Sequence, residues 1–345
     1  MQTYVGVDYH KSYSYINVSD EKGNVLREGK INNDKEQLKR FLAKYAENSK
    51  AVMEATRNWT VMYDWLEEEV EEVILAHPLK VKAIAEAKIK TDKIDASTLG
   101  HLLRADMIPE AYVPDKDTRD TKNLLRQRLF FVRLKTMAKN RIHVLIDRHW
   151  ELQKDRKVIG EDLFSKSGIE WLGKVELGRD REILDRELAL LEELERLVKD
   201  TDKKLTSLWK EDEEAKLVET IPGVGKFFAM LIVKEIGDIS RFSRPQKLCA
   251  YAGLVPSTYS SGGRTYHGRI IKQGNKWLRW AMVEAVWPAI RADQSLKELY
   301  WHYKKNSGSA NKAKVAVAKR LLTIVYRKLK EKREYVERVS SFQSL

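Results

Sequence analysis

Cysteine is almost missing from this sequence of 345 residues. Cys249 is the single one, so neither an intrachain disulfide nor a thiolate-built metal centre can form from it. A lone thiol suits a reducing compartment, and Cys249 is expected to be a small core residue. No uninterrupted apolar run nears the ~20 residues that a membrane helix needs. The opening stretch Met1–Val7 lacks a basic region leading into a long apolar segment, so the expectation is a cytoplasmic protein without a membrane. No phosphate-binding Walker loop is present, and ATP is not implied. The histidines at 77, 101, 143, 149 and 302 show no zinc-like spacing with cysteine.

What is present is an ordinary folded composition, 43% hydrophobic and 33% charged, in a chain long enough for two or three domains. Lys and Arg number 64 against 51 acids, a net charge of +13. The excess is placed unevenly. Residues 261–345 hold 19 Lys or Arg against 6 acids, while the first 260 residues hold 45 of each. Positive charge concentrated in a folded segment attracts polyanions, and neutralising phosphates releases their condensed counterions. Nucleic acid is the expected partner; the plainer alternative is a cationic face that only keeps the chain soluble.

The pattern of apolar residues divides the chain into three expected parts, 1–114, 115–210 and 211–345. In the first, Thr3–Val7, Ser14–Val18 and Val25–Ile31 alternate as strands, with Gly23-Asn24 as a turn. Asp34–Tyr45 reads as a helix capped by Asn33, Ala51–Glu54 as a short buried strand, Trp59–Glu69 as a helix and Glu72–Ala76 as a strand. Helices follow at Lys80–Ala87 and Asp92–Ala105. The implied fold is α/β, a mixed sheet flanked by helices.

The second part is long polar helix. Leu124, Phe131, Ala138 and Leu145 repeat every seven residues, as do Leu184, Leu191, Val198 and Leu205, which predicts an antiparallel coiled-coil arm or a dimer contact. Its first helix is rich in cations, including Arg126, Arg128, Arg133, Lys135, Lys139 and Arg141. They either hold a nucleic-acid backbone or pair with the acids of the second helix. The third part is mainly helical. Ile221-Pro222-Gly223-Val224-Gly225 fits a helix-hairpin-helix turn that brings backbone amides to a phosphate, or a plain turn between helices. Pro256–Arg264 reads as a hydroxyl-rich loop. Trp277, Trp280, Trp287 and Trp301 can stack on unpaired bases, but the first three fit the spacing of a helix core better.

The chemistry-bearing residues begin with Asp8, which follows the apolar strand Tyr4–Val7, and Glu54, which ends the strand Ala51–Met53. If these strands are neighbours, the two carboxylates meet at one end. Asp92 and Asp95 stand three apart, on one helix face. Packed carboxylates repel unless a cation compensates, and oxygen ligands select hard ions such as Mg²⁺ or Mn²⁺. Two such ions can clamp the attacking and leaving oxygens of a phosphodiester.

Gly6-Val7-Asp8-Tyr9-His10-Lys11, Met53-Glu54-Ala55-Thr56 and Lys90-Thr91-Asp92-Lys93-Ile94-Asp95-Ala96 resemble the motifs of DEDD-type insertion-sequence transposases related to the Piv and MooV DNA invertases. A second, independent set lies in the last third: Ile221–Gly225, Ala252-Gly253-Leu254-Val255-Pro256, Ser261-Gly262-Gly263, Gly268-Arg269-Ile270, Lys272, Gly274-Asn275 and Leu278-Arg279. The resemblance spans nearly the whole chain in order.

It implies a RuvC-like (RNase H-like) first domain that binds Mg²⁺ or Mn²⁺ through Asp8, Glu54, Asp92 and Asp95, and a C-terminal transposase domain. In this family a serine placed five residues after the Pro of the Gly-Leu-Val-Pro motif attacks a DNA phosphate and holds the strand covalently. Here that residue is Ser261. The resemblance further implies a structured bridge RNA pairing with double-stranded donor and target DNA. Because recombination must manage four strands, dimers are expected to assemble into tetramers, with the coiled-coil arm and basic tail holding RNA and DNA. Arg264, Arg269, Lys272, Lys276 and Arg279 surround the serine segment, and guanidinium and ammonium groups suit phosphate oxygens. Two rivals stay open: a metal-only RuvC-like nuclease or junction resolvase in which Ser261 is incidental, and a non-catalytic nucleic-acid-binding protein.

Overall fold

The structure, a computed structural model, describes residues 1–85, 91–152, 162–261, 264–271 and 273–336, with backbone alone at 258–261, 264–265, 267 and 269. The chain forms two compact units, Met1–Pro114 and Asp115–Leu345.

The first unit is built on a five-stranded mixed sheet in the order β3-β2-β1-β4-β5. Strands β1 (Thr3–Tyr9), β2 (Tyr13–Asp20) and β3 (Val25–Asn32) form an antiparallel meander, and β4 (Ser49–Glu54) and β5 (Glu72–Ala76) add in parallel beside β1. Side chains of a strand alternate between faces, so each strand serves two layers. Val5, Val7, Ile16, Val18, Ala51 and Met53 point one way. Helices α1 (Lys35–Leu42) and α2 (Trp59–Glu69) cover them with Leu38, Phe41, Leu42, Met62 and Leu66. On the other face Val52 meets Val81 of α3 (Pro78–Ile84) and Leu99 and Leu103 of α4 (Asp92–Arg104).

The expected elements of this unit are all present, with ends moved by a few residues. The cap of α1 is corrected from Asn33 to Asp34, whose carboxylate accepts from the Gln37 amide at 2.9 Å. The Asn33 side chain is engaged elsewhere: it accepts from Ser14 Oγ and donates to the His10 carbonyl, both at 2.7 Å. Helix α3 starts earlier than expected because Pro78 fits the first helical position, where no amide is needed. The expected helix end near Ala87 and the motif residue Lys90 lie outside the described residues.

The second unit starts with α5 (Lys116–Asp147), which runs antiparallel to α7 (Arg181–Glu211); a short helix α6 (Lys166–Leu172) lies between them in sequence. Arg128–Asp202, Lys135–Glu195 and Arg141–Glu187 ion pairs join the long helices at 3.0, 2.9 and 2.5 Å. Several of the cations that gave α5 its basic character are therefore committed within the unit. The buried stripe of α5 is not the simple seven-residue repeat: Leu125, Leu129, Ala138, Ile142, Leu145 and Ile146 are buried, while Leu124 is only partly so. The reason is a change of partner. The start of α5 faces the main helical core, and its last turns face Leu172, Leu184 and Leu191.

That main core gathers α8 (Glu213–Glu219), α9 (Lys226–Ile236), α10 (Pro245–Tyr251), α11 (Lys276–Glu284), α12 (Val286–Ala292), α13 (Gln294–Ser307) and α14 (Ala310–Glu331). Cys249 is buried among them, and burial pushes its thiol pKa up, which keeps it an inert small hydrophobe. Gly223 sits at φ +84, and a Cβ there would stand 2.5 Å from the Ala285 carbonyl oxygen. Its place in the Pro-Gly-Val-Gly turn is thus fixed by close packing on the α11–α12 corner.

The expected secondary structure of one segment is overturned in this unit. Pro256–Arg264, read as a loop, is instead the strand β6 (Pro256–Ser261) paired antiparallel with β7 (Arg264–Ile270). Ser and Gly dominated the sequence reading there, whereas Thr258, Tyr259, Thr265 and Tyr266 have the β-branched and aromatic character of paired strands. Gly262 and Gly263 lie outside the described residues.

Candidate functional site

Sheet register brings the first two carboxylates together. β1 and β4 pair in parallel from Thr3↔Ser49 to Val7↔Met53, so Asp8 and Glu54 follow the last matched pair at the same end of adjacent strands. Helix α4 supplies the other two. Thr91 caps its start, accepting from the Ile94 amide at 3.2 Å, and Asp92 and Asp95 occupy its first turn. The partial positive charge of a helix N-terminus favours carboxylates there.

The helix reaches the strand because β1 has a glycine where the two cross. A Cβ on Gly6 would lie 1.9 Å from the Ala96 carbonyl oxygen and 2.7 Å from the Gly100 amide nitrogen. Any side chain at position 6 would lift α4 off the sheet and carry Asp92 and Asp95 away from Asp8.

His10 stands between the acids. Its Nε2 lies 3.0 Å from Asp8 Oδ2 and 3.3 Å from Asp92 Oδ1. Ligand atoms of Asp8, His10 and Asp92 all fall within 4.8 Å of one another. Tyr13 Oη donates to Asp92 Oδ2 at 3.0 Å, and that bond holds the phenol above its ordinary pKa. Asp8, Glu54 and Asp95 together line a narrow cavity with Lys82 and Thr98. Burial pushes the Asp8 carboxyl up; His10 opposes the shift, while Asp92 and Asp95 add to it.

The residues fit a divalent cation. Carboxylates that repel one another across a partly buried pocket, with an imidazole aimed between them, are stabilised by a hard or borderline ion. His10 adds a nitrogen to what was expected to be an all-oxygen donor set. The sequence carried a signal for it: Asp8-Tyr9-His10 has the i, i+2 spacing that puts two side chains on one face of an extended chain. Tyr13 carried no such signal, because only the return of β2 beside β1 brings it to Asp92.

In the second unit, Ser261 is the last residue of β6, opposite Arg264 in the register, and Arg269 lies further along β7. Lys272 lies outside the described residues. Lys276 is exposed at the start of α11, its Nζ 5.2 Å from the Trp277 ring. Arg279 turns inward and donates to the Ala252 carbonyl at 3.0 Å.

The hairpin has a rigid root. Gly253 at φ +67 and Gly274 at φ +131 occupy conformations in which a side chain is strained. Between them, Ile271 donates to the Val255 carbonyl at 2.8 Å and Asn275 to the Tyr251 carbonyl at 2.7 Å. The Asn275 side chain caps α11, accepting from the Trp277 and Leu278 amides at 3.0 Å each. Its Nδ2 donates at 2.8 Å to Glu235 Oε2. Glu235 is 1% exposed and also holds Arg126 at 2.7 Å and Lys122 at 3.3 Å. A buried ionic hub thus ties the hairpin root to α5 and α9.

Residues 5–151 match a family model for DEDD transposases of the IS110 type, described as Transposase, and residues 215–301 match one described as Transposase IS116/IS110/IS902 family. A putative transposase of Sinorhizobium fredii is 24% identical over 83% of this chain and 71% of its own length. The transposase for insertion sequence element IS1111A of Coxiella burnetii is 27% identical over 76% of this chain and 72% of its own length. The pilin gene-inverting protein of Moraxella bovis is 30% identical over 37% of this chain and 40% of its own length. Among the described residues no helix is long and apolar enough to cross a membrane.

Proposed function

Taking the chain as a DEDD transposase of the IS110/IS116 family, the assignment that both family matches support, we propose that it cuts and rejoins DNA through a covalent serine intermediate assisted by a metal-binding carboxylate cluster. The observation that carries the reading is the meeting of Asp8, His10 and Asp92 ligand atoms within 4.8 Å, from two elements far apart in the sequence. Asp8, Glu54, Asp92 and Asp95 would hold Mg²⁺ or Mn²⁺ with His10 alongside. A bound divalent cation supplies Lewis-acid stabilisation of the charge that gathers on phosphate oxygens.

The remaining work falls to the chain. Ser261 Oγ attacks phosphorus, a bond from phosphorus to a strand oxygen breaks, and the serine proton is lost as the departing strand leaves with a hydroxyl. A hydroxyl of the new strand then attacks the phosphoserine and restores the free serine, so the bond energy is conserved and no ATP is needed. A serine hydroxyl is a weak nucleophile without assistance, which is why the carboxylate cluster belongs to the same reading. Arg264, Arg269, Lys272 and Lys276 supply positive charge along the DNA backbone, and Arg279 holds the hairpin root.

The likeness of both motif sets to the family supports further steps of the same proposal: a RuvC-like first domain, recognition of donor and target DNA through a structured bridge RNA, and dimers assembling into tetramers. On this reading 1–114 carries the carboxylates, 115–210 the helical arm and 211–345 the serine. The test is to trap a protein–DNA adduct with the full chain, Mg²⁺, the RNA transcribed from its own insertion element and DNA bearing the ends of that element. Ser261→Ala and Asp92→Asn should each abolish the adduct and strand cleavage. Cleavage by Ser261→Ala at the normal rate would overturn the covalent mechanism in favour of a metal-only nuclease.

A further inference from the structure

Two tryptophans of the second unit face solvent where helix spacing alone places one of them in the core. Trp287 of α12 is 42% exposed and Trp301 of α13 is 54% exposed. Both rest on the buried ring of Tyr300, at centroid distances of 5.4 and 5.6 Å. They therefore share one buried aromatic base. Each has an ammonium group over its ring: Lys304 Nζ is 4.4 Å from the Trp301 centroid, and Lys314 Nζ is 5.8 Å from that of Trp287.

Charge around the rings has one prevailing sign. Lys297, Lys304 and Lys305 stand at i−4, i+3 and i+4 from Trp301, so all three share its helix face. Glu298, the sole acid of α13, stands at i−3 on the same face and accepts from Gln294 at 3.0 Å. Lys314 has a weak partner in Glu284 at 3.9 Å. Exposed indoles among lysines are poorly suited to an apolar protein partner, because docking would bury the ammonium groups unpaired. They suit a polyanion that also offers flat apolar faces.

We propose that Trp287 and Trp301 form a stacking platform for unpaired bases of a single DNA strand, with Lys297, Lys304 and Lys305 holding its phosphates. A lysine lying over a ring is held there by a cation–π contact of modest strength at an exposed site. A phosphate draws the ammonium group aside, and the freed ring face takes a base. Duplex DNA keeps its bases stacked on one another and has no free face to offer. The proposal rests on the DNA-recombinase reading, in which cutting and exchange expose unpaired strand, and it adds where that strand is held.

The experiment measures fluorescence anisotropy of a labelled thymidine oligonucleotide of about 20 residues, a duplex of the same length and a uridine RNA counterpart, with the full-length protein and a metal chelator present. Trp301→Ala and Trp287→Ala should each weaken binding of the thymidine strand about fivefold or more while leaving the duplex within about twofold. Trp301→Phe should retain most of the affinity. Lys304→Gln should lower the salt dependence of single-strand binding, by a slope of about 0.7. Thermal melts followed by circular dichroism establish that each variant is folded, and the Phe and Gln variants preserve the packing if an alanine does not.

Unchanged affinity for the thymidine strand, equal losses on duplex and single strand, or binding of the RNA alone would each overturn the proposal. No cleavage is needed for this measurement, because the chelator withholds the divalent cation. Cleavage by Ser261→Ala at the normal rate would overturn the covalent mechanism and leave the binding result standing, and the reverse also holds.

Discussion

Gly6 and Ala96 touch so closely that a methyl group on the first would fall 1.9 Å from the carbonyl oxygen of the second. This contact between β1 and α4 holds the acids of two separate elements at one end of the sheet. Gly6→Ala should cost about 3 kcal/mol or more, since backbone rather than a flexible side chain must give way. Gly100 is the control: a Cβ there meets nothing nearer than 3.6 Å. Gly100→Ala should be neutral or stabilising by up to about 1 kcal/mol through helix propensity. Urea denaturation of both variants checks the contrast.

His10 lies within hydrogen-bond reach of both Asp8 and Asp92, and its place is fixed by Asn33, which donates to the His10 carbonyl at 2.7 Å. His10→Gln should lower Mn²⁺ affinity about tenfold to a hundredfold, the usual effect of losing a group that ligates or orients a ligand. Asp92→Asn should lower it further. Isothermal titration with Mn²⁺ reads both; an unchanged affinity in His10→Gln would mean that the imidazole merely separates the acids.

Glu235 is the anionic centre of a cluster made of Lys122, Arg126 and Asn275. Removing its carboxylate takes the counter-charge from Lys122, which is largely buried, and from Arg126, which keeps contact with water. Glu235→Ala should destabilise the chain by about 3 to 5 kcal/mol, and Glu235→Gln by less, because the amide keeps an acceptor oxygen. Guanidinium denaturation separates the two.

The ends of α5 and α7 are joined by His149, whose ring nitrogens meet Asp180 and Glu151 at 3.1 Å each. These hydrogen bonds, that to Asp180 foremost, raise the His149 pKa above its ordinary value. A histidine bound more tightly to its proton in the fold contributes stability that is complete below the unfolded pKa of about 6.5 and disappears as pH climbs through the higher folded value. Melting temperature should therefore fall from about pH 6 to about pH 8, and His149→Gln should flatten that decline.

Much of the first unit was legible in the sequence because its signals are local. Thr3–Tyr9 and Tyr13–Asp20 alternate with the period of a strand, and Asp92 and Asp95 share a helix face through spacing alone. The hairpin that bears Ser261 was not legible as strand, since its glycines and serines carry turn signals that only pairing with β7 overrides. Trp287 was misjudged for a related reason. Periodicity says that a residue lies on an apolar stripe, but whether another element covers that stripe depends on how α12 and α13 meet.

By itself the sequence determined which chemistry was available: acids at a strand end and a helix start, a serine among cations, and a positive last quarter. Tertiary structure decided which of these groups converge. Asp8 and Glu54 meet through parallel register, Asp92 arrives because Gly6 has no side chain, and His10 and Tyr13 join because β2 folds back beside β1. The physical reason is that composition and spacing act along the chain, whereas an electrostatic site is made by distances through space, and those are set by packing.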